Sequence, residues 1–426
     1  GLLVHSDFMA FWSFSASAQT CLHTMNPSRD AGLQRLQYFL PGAGSRYQQL
    51  RNFDFGAENR DNVSLLSPWL RHRVLLEEEV LEAVIRHHGA TQAEKFIDEI
   101  FWRAYFRGWM AHRSSLWADY CAAVHRQTRA LEADPELASA LRDAERGNTG
   151  NVAFDAWARE LVTTGYLHNH ARMWFASIWV FTLRLPWTLG ADFFLRHLLD
   201  GDPASNTLGW RWVSGLHTRG KAYLAKRDNI LKFTDGRLDP GPGLAVEAQI
   251  PGDECAPTVP DLRWPQPPPA PDHGSAWLLT SEDATPPACL PDDRPVFAML
   301  ATQGLTAREL SPAVRAFTRG CLADAVRRHG DETRLIGEQH EAGALMSRLT
   351  EHGVRDLHCF HVPYGPAAHA LLVLEKELLK ESIRLHRHVR PYDCAAWPWA
   401  DRGFFRLKRR IPRLLDTMNL TERPDA

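Results

Sequence analysis

The stretch from Thr164 to Trp212 decides the fold of the first half of the chain. It reads TGYLHNHARMWFASIWVFTLRLPWTLGADFFLRHLLDGDPASNTLGWRW. Apolar residues at three- and four-residue steps predict helices here. Polar and aromatic side chains are interleaved: Asn169, Arg172, Asp200, Asp202 and Asn206 stand among Trp187, Trp210 and Trp212. Polar groups are costly to bury without partners, so this helical block is predicted to enclose a polar site.

Composition sets the outer limits of the interpretation. With 426 residues, 44% of them hydrophobic and 23% charged, the chain has room for two or three globular domains. Tryptophan is unusually frequent, at 15 residues. A formal net charge of −2 is not that of a general polyanion binder, so a nucleic-acid site would have to be a local patch.

Cysteine usage argues against a metal centre or a disulfide framework. The chain has seven scattered cysteines and no CxxC spacing, so we predict no metal and a cytoplasmic location. The best apolar run, from Met173 to Leu183, lies between two arginines and is too short to span a membrane.

Pattern changes divide the chain into four parts. Residues 1–29 are expected to form an N-terminal extension, and residues 30–238 a helical domain in which Gly89 and Gly165 end helices. Residues 239–274 are rich in proline and glycine and predict a semi-rigid linker. In residues 275–426 short apolar runs, at 276–280, 296–300 and 356–362, alternate with helical stretches. That alternation predicts a smaller α/β domain of the Rossmann-like type with a parallel sheet and a C-terminal helix.

Three motifs identify a family resemblance. The pattern HNxxRM begins at His168, DGDxxSN begins at Asp200, and WxW ends at Trp212. Their order and spacing resemble the helical FAD-binding domain of the photolyase/cryptochrome family, closest to cyclobutane pyrimidine dimer photolyases. The second half resembles the family's antenna domain more weakly. Since that domain usually comes first, the chain resembles a circular permutant of the family architecture.

The resemblance implies a set of FAD-binding residues. They are Tyr47, Ser64, Leu65, Leu66, Ser67, Glu99, Arg103, Asn169, Arg172, Asp200, Asp202 and Asn206. In the family Arg172 and Asp200 would form a buried pair beside the isoalloxazine ring, and Asn206 would face flavin N5. The resemblance leaves open whether a second, antenna chromophore binds.

The resemblance also implies light-dependent repair of a flipped-out pyrimidine dimer in UV-damaged DNA. The residues implied at the lesion are Glu99, Trp102, Asn169, Met173 and Trp212. Asn169 separates His168 from His170, so the histidine pair of six-four photolyases is absent, which favours cyclobutane dimers. Backbone contacts are implied for Arg51, His170, Lys226 and Arg227, and a monomer is expected.

The resemblance also implies that electrons reach the flavin along a chain of tryptophans. Trp210 matches the proximal position and Trp187 the middle one, whereas no tryptophan stands at the usual distal position. Trp117 is the preferred substitute, and Trp109 and Tyr120 are alternatives.

Other interpretations remain open for parts of this set. Glu99 and Arg103, four residues apart, would also suit a surface ion pair. Ser67-Pro68 would suit a plain helix cap, with Ser67 as the N-cap residue. For the whole chain, the alternatives are a cryptochrome-like photoreceptor that binds FAD without repair, and a light-independent flavoprotein.

Overall fold

A computed structural model describes residues 25–331, 334–337 and 342–420. The predicted extension falls largely on residues 1–24, which lie outside the described residues. The first half of the chain is helical, as predicted. Its α-helices are α1 (Arg29–Phe39), α2 (Ser45–Leu50), α3 (Ser67–Arg71), α4 (Glu77–His88), α5 (Glu94–Ala111), α6 (Ser115–Ala133), α7 (Pro135–Arg146), α8 (Val152–Thr164), α9 (Asn169–Ser177), α10 (Trp187–His197), α11 (Pro203–Val213) and α12 (Arg227–Phe233).

Local sequence signals fix the ends of the helices around the motifs between Thr164 and Trp212. Asp202 is the N-cap of α11, accepts a hydrogen bond from the Ala204 amide at 2.8 Å and is followed by a proline. Gly165 ends α8 with a φ of +69°, and a Cβ there would lie 2.7 Å from the Leu199 side chain. Glycine is therefore required at this position both by the backbone and by the close packing.

The segment between the two halves, residues 234–274, contains neither helix nor strand. It lies against the folded body through specific contacts. The guanidinium group of Arg211 pairs with Asp253 at 2.7 Å, and the Trp264 ring stacks on Trp397 with centroids 5.6 Å apart.

The second half contains a five-stranded parallel sheet in the order β3-β2-β1-β4-β5. The strands are β1 (Ser275–Thr280), β2 (Val296–Met299), β3 (Leu335–Ile336), β4 (Asp356–Phe360) and β5 (Arg384–His388). The helices are α13 (Pro312–Arg328), α14 (Ala342–Glu351), α15 (Pro366–Lys380), α16 (Pro391–Ala396), α17 (Phe404–Lys408) and α18 (Ile411–Thr417). The apolar runs predicted β1, β2 and β4. The sequence did not predict β3, which has two residues, or β5, whose sequence RLHRH has no apolar run.

The two faces of the sheet have different neighbours. Ala276 and Leu278 of β1 belong to a small core that also contains residues of α14 and α15. Trp277 and Leu279, which alternate with them, belong to the large core that continues into the helical half. Period-two alternation therefore assigns one face of the sheet to its own helices and the other face to the helical body.

Buried ion pairs connect the two halves at the carboxyl ends of the strands; we call this region the joint. Its members are Arg71, His72, Arg73, Glu282, Asp283, Arg390 and Asp393. Arg71 binds Glu282 with both terminal nitrogens, at 2.8 and 2.9 Å. Arg73 binds Asp393 at 2.7 and 2.8 Å. Because these charges are fully buried, each depends on its partner for solvation.

Within the described part of the chain, no helix is both long enough and apolar enough to cross a membrane.

Candidate functional site

An open cavity of about 560 Å³ lies in the helical body. Most of its wall comes from α5, α9 and α11 and from the loop before α3. The predicted residues in its lining are Tyr47, Arg51, Ser64, Leu65, Ser67, Glu99, Trp102, Arg103, Asn169, His170, Arg172, Met173, Asp200, Asp202, Asn206, Trp210 and Trp212. Positions up to 165 residues apart in sequence are thus brought to one site.

One predicted residue lies behind the wall instead. Leu66 is fully buried in the hydrophobic core and is not part of the cavity lining. Its backbone N–H donates to Ser64 Oγ at 3.3 Å. The preceding Leu65 has a φ of +56°, which is costly for a residue with a Cβ. This backbone conformation turns Leu65 toward the cavity and Leu66 toward the core.

Arg172 and Asp200 form a two-bond ion pair, with Nη1–Oδ1 and Nη2–Oδ2 distances of 3.0 and 2.7 Å. Asp200 also accepts a hydrogen bond from Ser67 Oγ at 2.5 Å. The predicted N-cap role of Ser67 is wrong, because Leu66 is the N-cap residue and Ser67 is the first residue of α3. The Ser67 hydroxyl instead orients the carboxylate of Asp200, which also receives the guanidinium of Arg172.

A second ion pair lies beside the first. Arg103 Nη1 is 2.9 Å from Asp202 Oδ2. Arg103 therefore pairs with Asp202 and not with Glu99, the partner in the alternative interpretation of a surface ion pair. Burial alone would raise the pKa of Asp202, but Arg103, Arg71 and Arg107 outweigh it and lower that pKa to about 2. Asp202 therefore stays ionised at neutral pH.

Two residues of α11 leave the cavity wall open. The side-chain NH₂ of Asn206 donates to the Ala191 carbonyl at 2.9 Å, which holds the amide in place. One turn later, Gly209 lines the cavity, and a Cβ added there would meet no atom within 4 Å. The sequence analysis missed Gly209, although a glycine inside a helical pattern is itself a signal of close approach.

The outer part of the cavity is aromatic and carries one carboxylate. Glu99 forms an ion pair with Arg51, and the Glu99 side chain is 33% exposed. Burial raises the pKa of Glu99, while Arg51 acts in the opposite direction. Trp102 stacks face to face on Phe404 at 3.7 Å, and Trp212, 37% exposed, stacks on Tyr223 at 5.8 Å.

The histidines on either side of Asn169 have structural partners. His168 Nε2 donates to the Arg51 carbonyl at 2.9 Å, and His168 Nδ1 accepts from the His170 amide at 3.1 Å. This pattern needs the neutral ring, and burial lowers the pKa of His168 to about 4. His170 donates through Nδ1 to the Asn52 carbonyl at 2.7 Å.

The predicted electron-transfer residues fall into two groups. Trp210 lines the cavity and contacts Trp179 edge to face at 6.0 Å. Trp187 contacts Tyr120 at 5.9 Å, and Tyr120 contacts Trp117 at 5.3 Å. The sequence analysis did not select Trp179, which lies in a π-helical turn directly after α9.

Two predicted DNA-contact residues lie outside the cavity lining. Lys226 is the exposed residue before α12, and Arg227 forms two bonds to Asp239, at 2.6 and 2.8 Å. The charge of Arg227 is thus already matched by a carboxylate.

Comparison with known proteins identifies the helical body. Residues 96–236 match the model of the FAD binding domain of DNA photolyase. The match lies within the helical body, and that part of the chain is similar to the photolyase FAD-binding domain. FAD is accordingly its cofactor, as predicted.

Two curated relatives extend the match. A deoxyribodipyrimidine photo-lyase of Streptomyces griseus is 31% identical over 204 residues, covering 46% of this chain and 42% of the relative. The photo-lyase of Thermus thermophilus is 32% identical over 217 residues, covering 48% and 47%. The chain therefore matches less than half the length of these relatives. A solved class III photolyase from Agrobacterium tumefaciens is 28% identical with a TM-score of 0.40, covering 49% of this chain and 42% of that structure.

Proposed function

We propose that the protein is a light-dependent DNA repair enzyme that acts on cyclobutane pyrimidine dimers. One observation carries the proposal: a carboxylate and two aromatic walls, Glu99, Trp102 and Trp212, share a single cavity with the Arg172–Asp200 pair and Asn206. The proposed flavin site and the proposed site for a flipped-out pyrimidine dimer are thus parts of one cavity.

The inner cavity fits FAD. Gly209 leaves an open cradle on α11, which a Cβ could enter without a clash, and Asn206 has its NH₂ group fixed by Ala191, which leaves its carbonyl oxygen for a ligand. We assign Arg172, Asp200 and Asn206 to the isoalloxazine end. Arg103 and Ser64 would serve the diphosphate, because a guanidinium and a hydroxyl both suit phosphate oxygens.

Reduced FAD, when bound and excited by light, supplies the electron that opens a cyclobutane ring and takes it back afterwards. The residues of the chain bind and orient the lesion. Trp102 and Trp212 give flat apolar surfaces on which a flipped base can stack. Flipping costs a few kcal/mol, and less for a damaged base.

Glu99 would hold a proton or a hydrogen bond at the carbonyl groups of the dimer. Its pKa is raised by burial, which brings the neutral acid closer to physiological pH. Arg51 pairs with Glu99, which holds the Glu99 carboxylate in position. Asn169 is exposed at the same wall, with its amide 3.9 Å from the Met173 sulfur, and can bond a pyrimidine edge.

Electrons would reach the domain through aromatic residues. Trp117, Tyr120 and Trp187 form a sequence of ring contacts at 5.3 and 5.9 Å, and we assign Trp117 and Tyr120 to the outer end. Trp210, on the adjacent helix α11, would be the inner end. Substitution of Tyr120 by phenylalanine should slow photoreduction while leaving FAD bound.

The direct test is repair in a defined reaction. The reduced protein is mixed with an oligonucleotide that contains one thymine dimer, illuminated with blue light, and assayed for restored thymines beside a dark control. We expect light-dependent restoration, a lower yield for Glu99→Ala, and partial rescue by Glu99→Gln, which keeps a hydrogen-bonding amide. Bound, photoreducible flavin with no restoration would contradict the proposal and would favour the photoreceptor.

We also propose a monomer in the cytoplasm. The described cysteines Cys121, Cys255, Cys289, Cys321, Cys359 and Cys394 are all free thiols, which supports a reducing compartment. Sedimentation of the FAD-bound protein would test the oligomeric state.

A further inference from the structure

The segment from Arg402 to Arg413, RGFFRLKRRIPR, carries a concentrated positive charge. It contains six arginines and lysines and no aspartate or glutamate, in a chain whose net charge is −2. The segment lies near the end of the second half and includes α17 and the start of α18. Such a local basic segment on a neutral background is the expected footprint of a polyanion contact.

One side of this segment is fixed to the cavity wall. Phe404 is buried and stacks on Trp102, with ring centroids 3.7 Å apart and planes 12° apart. Lys408 Nζ is 2.6 Å from Asp98 and 3.4 Å from Glu94, both on α5. The segment is therefore attached to the helix that carries Glu99 and Trp102.

The other side of the segment is exposed; we call it the C-terminal ridge. Its members are Arg402, Phe405, Arg409 and Arg413. Arg402 precedes α17, Phe405 lies in α17, Arg409 is in the turn after it, and Arg413 lies in α18. Phe405 is 75% exposed, next to Phe404 at a ring distance of 6.4 Å. Within the described part of the chain, neither Arg409 nor Arg413 has a carboxylate within 4.0 Å.

We infer that the C-terminal ridge binds the sugar–phosphate backbone of the DNA strand beside the lesion cavity. The inference rests on the proposed function. Charge complementarity favours phosphate for Arg409 and Arg413, since two of the cations predicted to contact DNA are already paired, Arg51 with Glu99 and Arg227 with Asp239. Phe405, two ring contacts from the Trp102 face that lines the cavity, would pack against a sugar or an unstacked base.

The ridge predicts two separable effects on DNA binding. Each arginine that contacts a phosphate contributes a slope of about −0.9 to the plot of log K against log salt for duplex DNA. Arg409→Ala with Arg413→Ala should thus reduce the slope by about 2 and weaken binding at 0.15 M salt by about 30-fold. Phe405→Ala should weaken binding by about fivefold or more without changing the slope.

The test measures binding of a fluorescent duplex with one thymine dimer to the FAD-bound protein at four salt concentrations, in the dark. Lys376→Ala is the matched control, because Lys376 is an exposed cation on α15, whose apolar side packs in the small core on the opposite face of the sheet. It should leave slope and affinity unchanged. Flavin absorbance of each variant confirms that the cavity is intact.

The outcomes distinguish the ridge from the proposed function. If the parent protein repairs dimers and the double variant keeps the parent slope, the inference that the ridge binds DNA is wrong and the proposed function stands. If the parent neither repairs dimers nor prefers them over undamaged duplex, both fail. An equal loss of slope in Lys376→Ala would show that the slope depends on total charge and not on position. That result would also contradict the inference that the ridge binds DNA.

Discussion

The cavity of the helical body and the joint at the carboxyl ends of the strands contain the same kinds of residues. They differ in the volume of open space that these residues enclose. Both contain arginine–carboxylate pairs held by two bonds, Arg172–Asp200 in the cavity and Arg71–Glu282 in the joint. The cavity keeps an open volume of about 560 Å³, whereas the space lined by Arg71 and Glu282 measures about 10 Å³. That smaller volume holds about one water molecule.

The difference shows which partner completes each cluster. In the joint, arginines and carboxylates from the two halves of the chain satisfy one another, so the charges serve the fold. In the cavity, Asn206, Gly209 and Glu99 face open space, so a ligand completes the site. Removing a joint residue should therefore change stability first, and removing a cavity residue should change FAD binding first.

The largest effect is expected for Arg73→Met in the joint. Arg73 is 2% exposed and faces Glu77, Asp283 and Asp393, so its loss leaves buried carboxylates without a cation. We expect the free energy of unfolding to fall by about 3–5 kcal/mol in urea titrations. Arg86→Met is the control: Arg86 pairs with Glu82 at the surface, and its loss should cost about 0.3–0.5 kcal/mol. Equal stabilities of the two variants would break the comparison.

An intermediate effect on the free energy of unfolding is expected from acidification, and it involves both the joint and the cavity. Burial lowers the pKa of His72 in the joint to about 3 and that of His168 in the cavity to about 4. Below pH 6.5 the unfolded chain binds protons that these folded rings do not, so the two rings contribute a loss of stability as pH decreases from 6.5 to 4. The slope is up to about 1.4 kcal/mol per pH unit for each ring.

Urea titrations between pH 7 and pH 4.5 measure this slope. His72→Gln, which can still donate to the Ser281 carbonyl, should flatten it. A slope that is unchanged by His72→Gln would show that His72 does not contribute to it.

The smallest effect in free energy, but the most specific, is expected for Gly209→Leu. The new side chain would enter the open cavity without touching the fold, so FAD binding should weaken by at least about tenfold, or about 1.4 kcal/mol, at unchanged stability. Gly343→Leu is the matched control, since Gly343 is also a helical glycine with no atom within 4 Å of an added Cβ. Normal FAD affinity in Gly209→Leu would place the flavin elsewhere.

The sequence predicted the cavity better than the joint. Motifs such as HNxxRM and DGDxxSN hold several cavity residues at fixed offsets, and the family resemblance that these motifs carry implied the others. The partners in the joint, such as Arg71 and Glu282, are 211 residues apart, and no local period relates them. The N-cap role of Ser67 was also predicted wrongly, because α3 begins at Ser67 and Leu66 is its N-cap residue.

The second half was predicted only in outline. Strand β5, at an edge of the sheet, has only one apolar residue, Leu385, and β3 is too short to give a pattern. The circular permutation and the three boundaries between the four predicted parts stay predictions, as does the identity of any antenna chromophore.

The most direct test of the central claim is the FAD stoichiometry of the chain. The purified protein is saturated with FAD, freed of excess, denatured, and the released flavin is measured by absorbance against protein concentration. We predict one FAD per chain for the parent protein and for Arg86→Met, and much less than one for Gly209→Leu. No bound FAD in the parent, or a full equivalent in Gly209→Leu, would contradict the assignment of the open cavity as the flavin site.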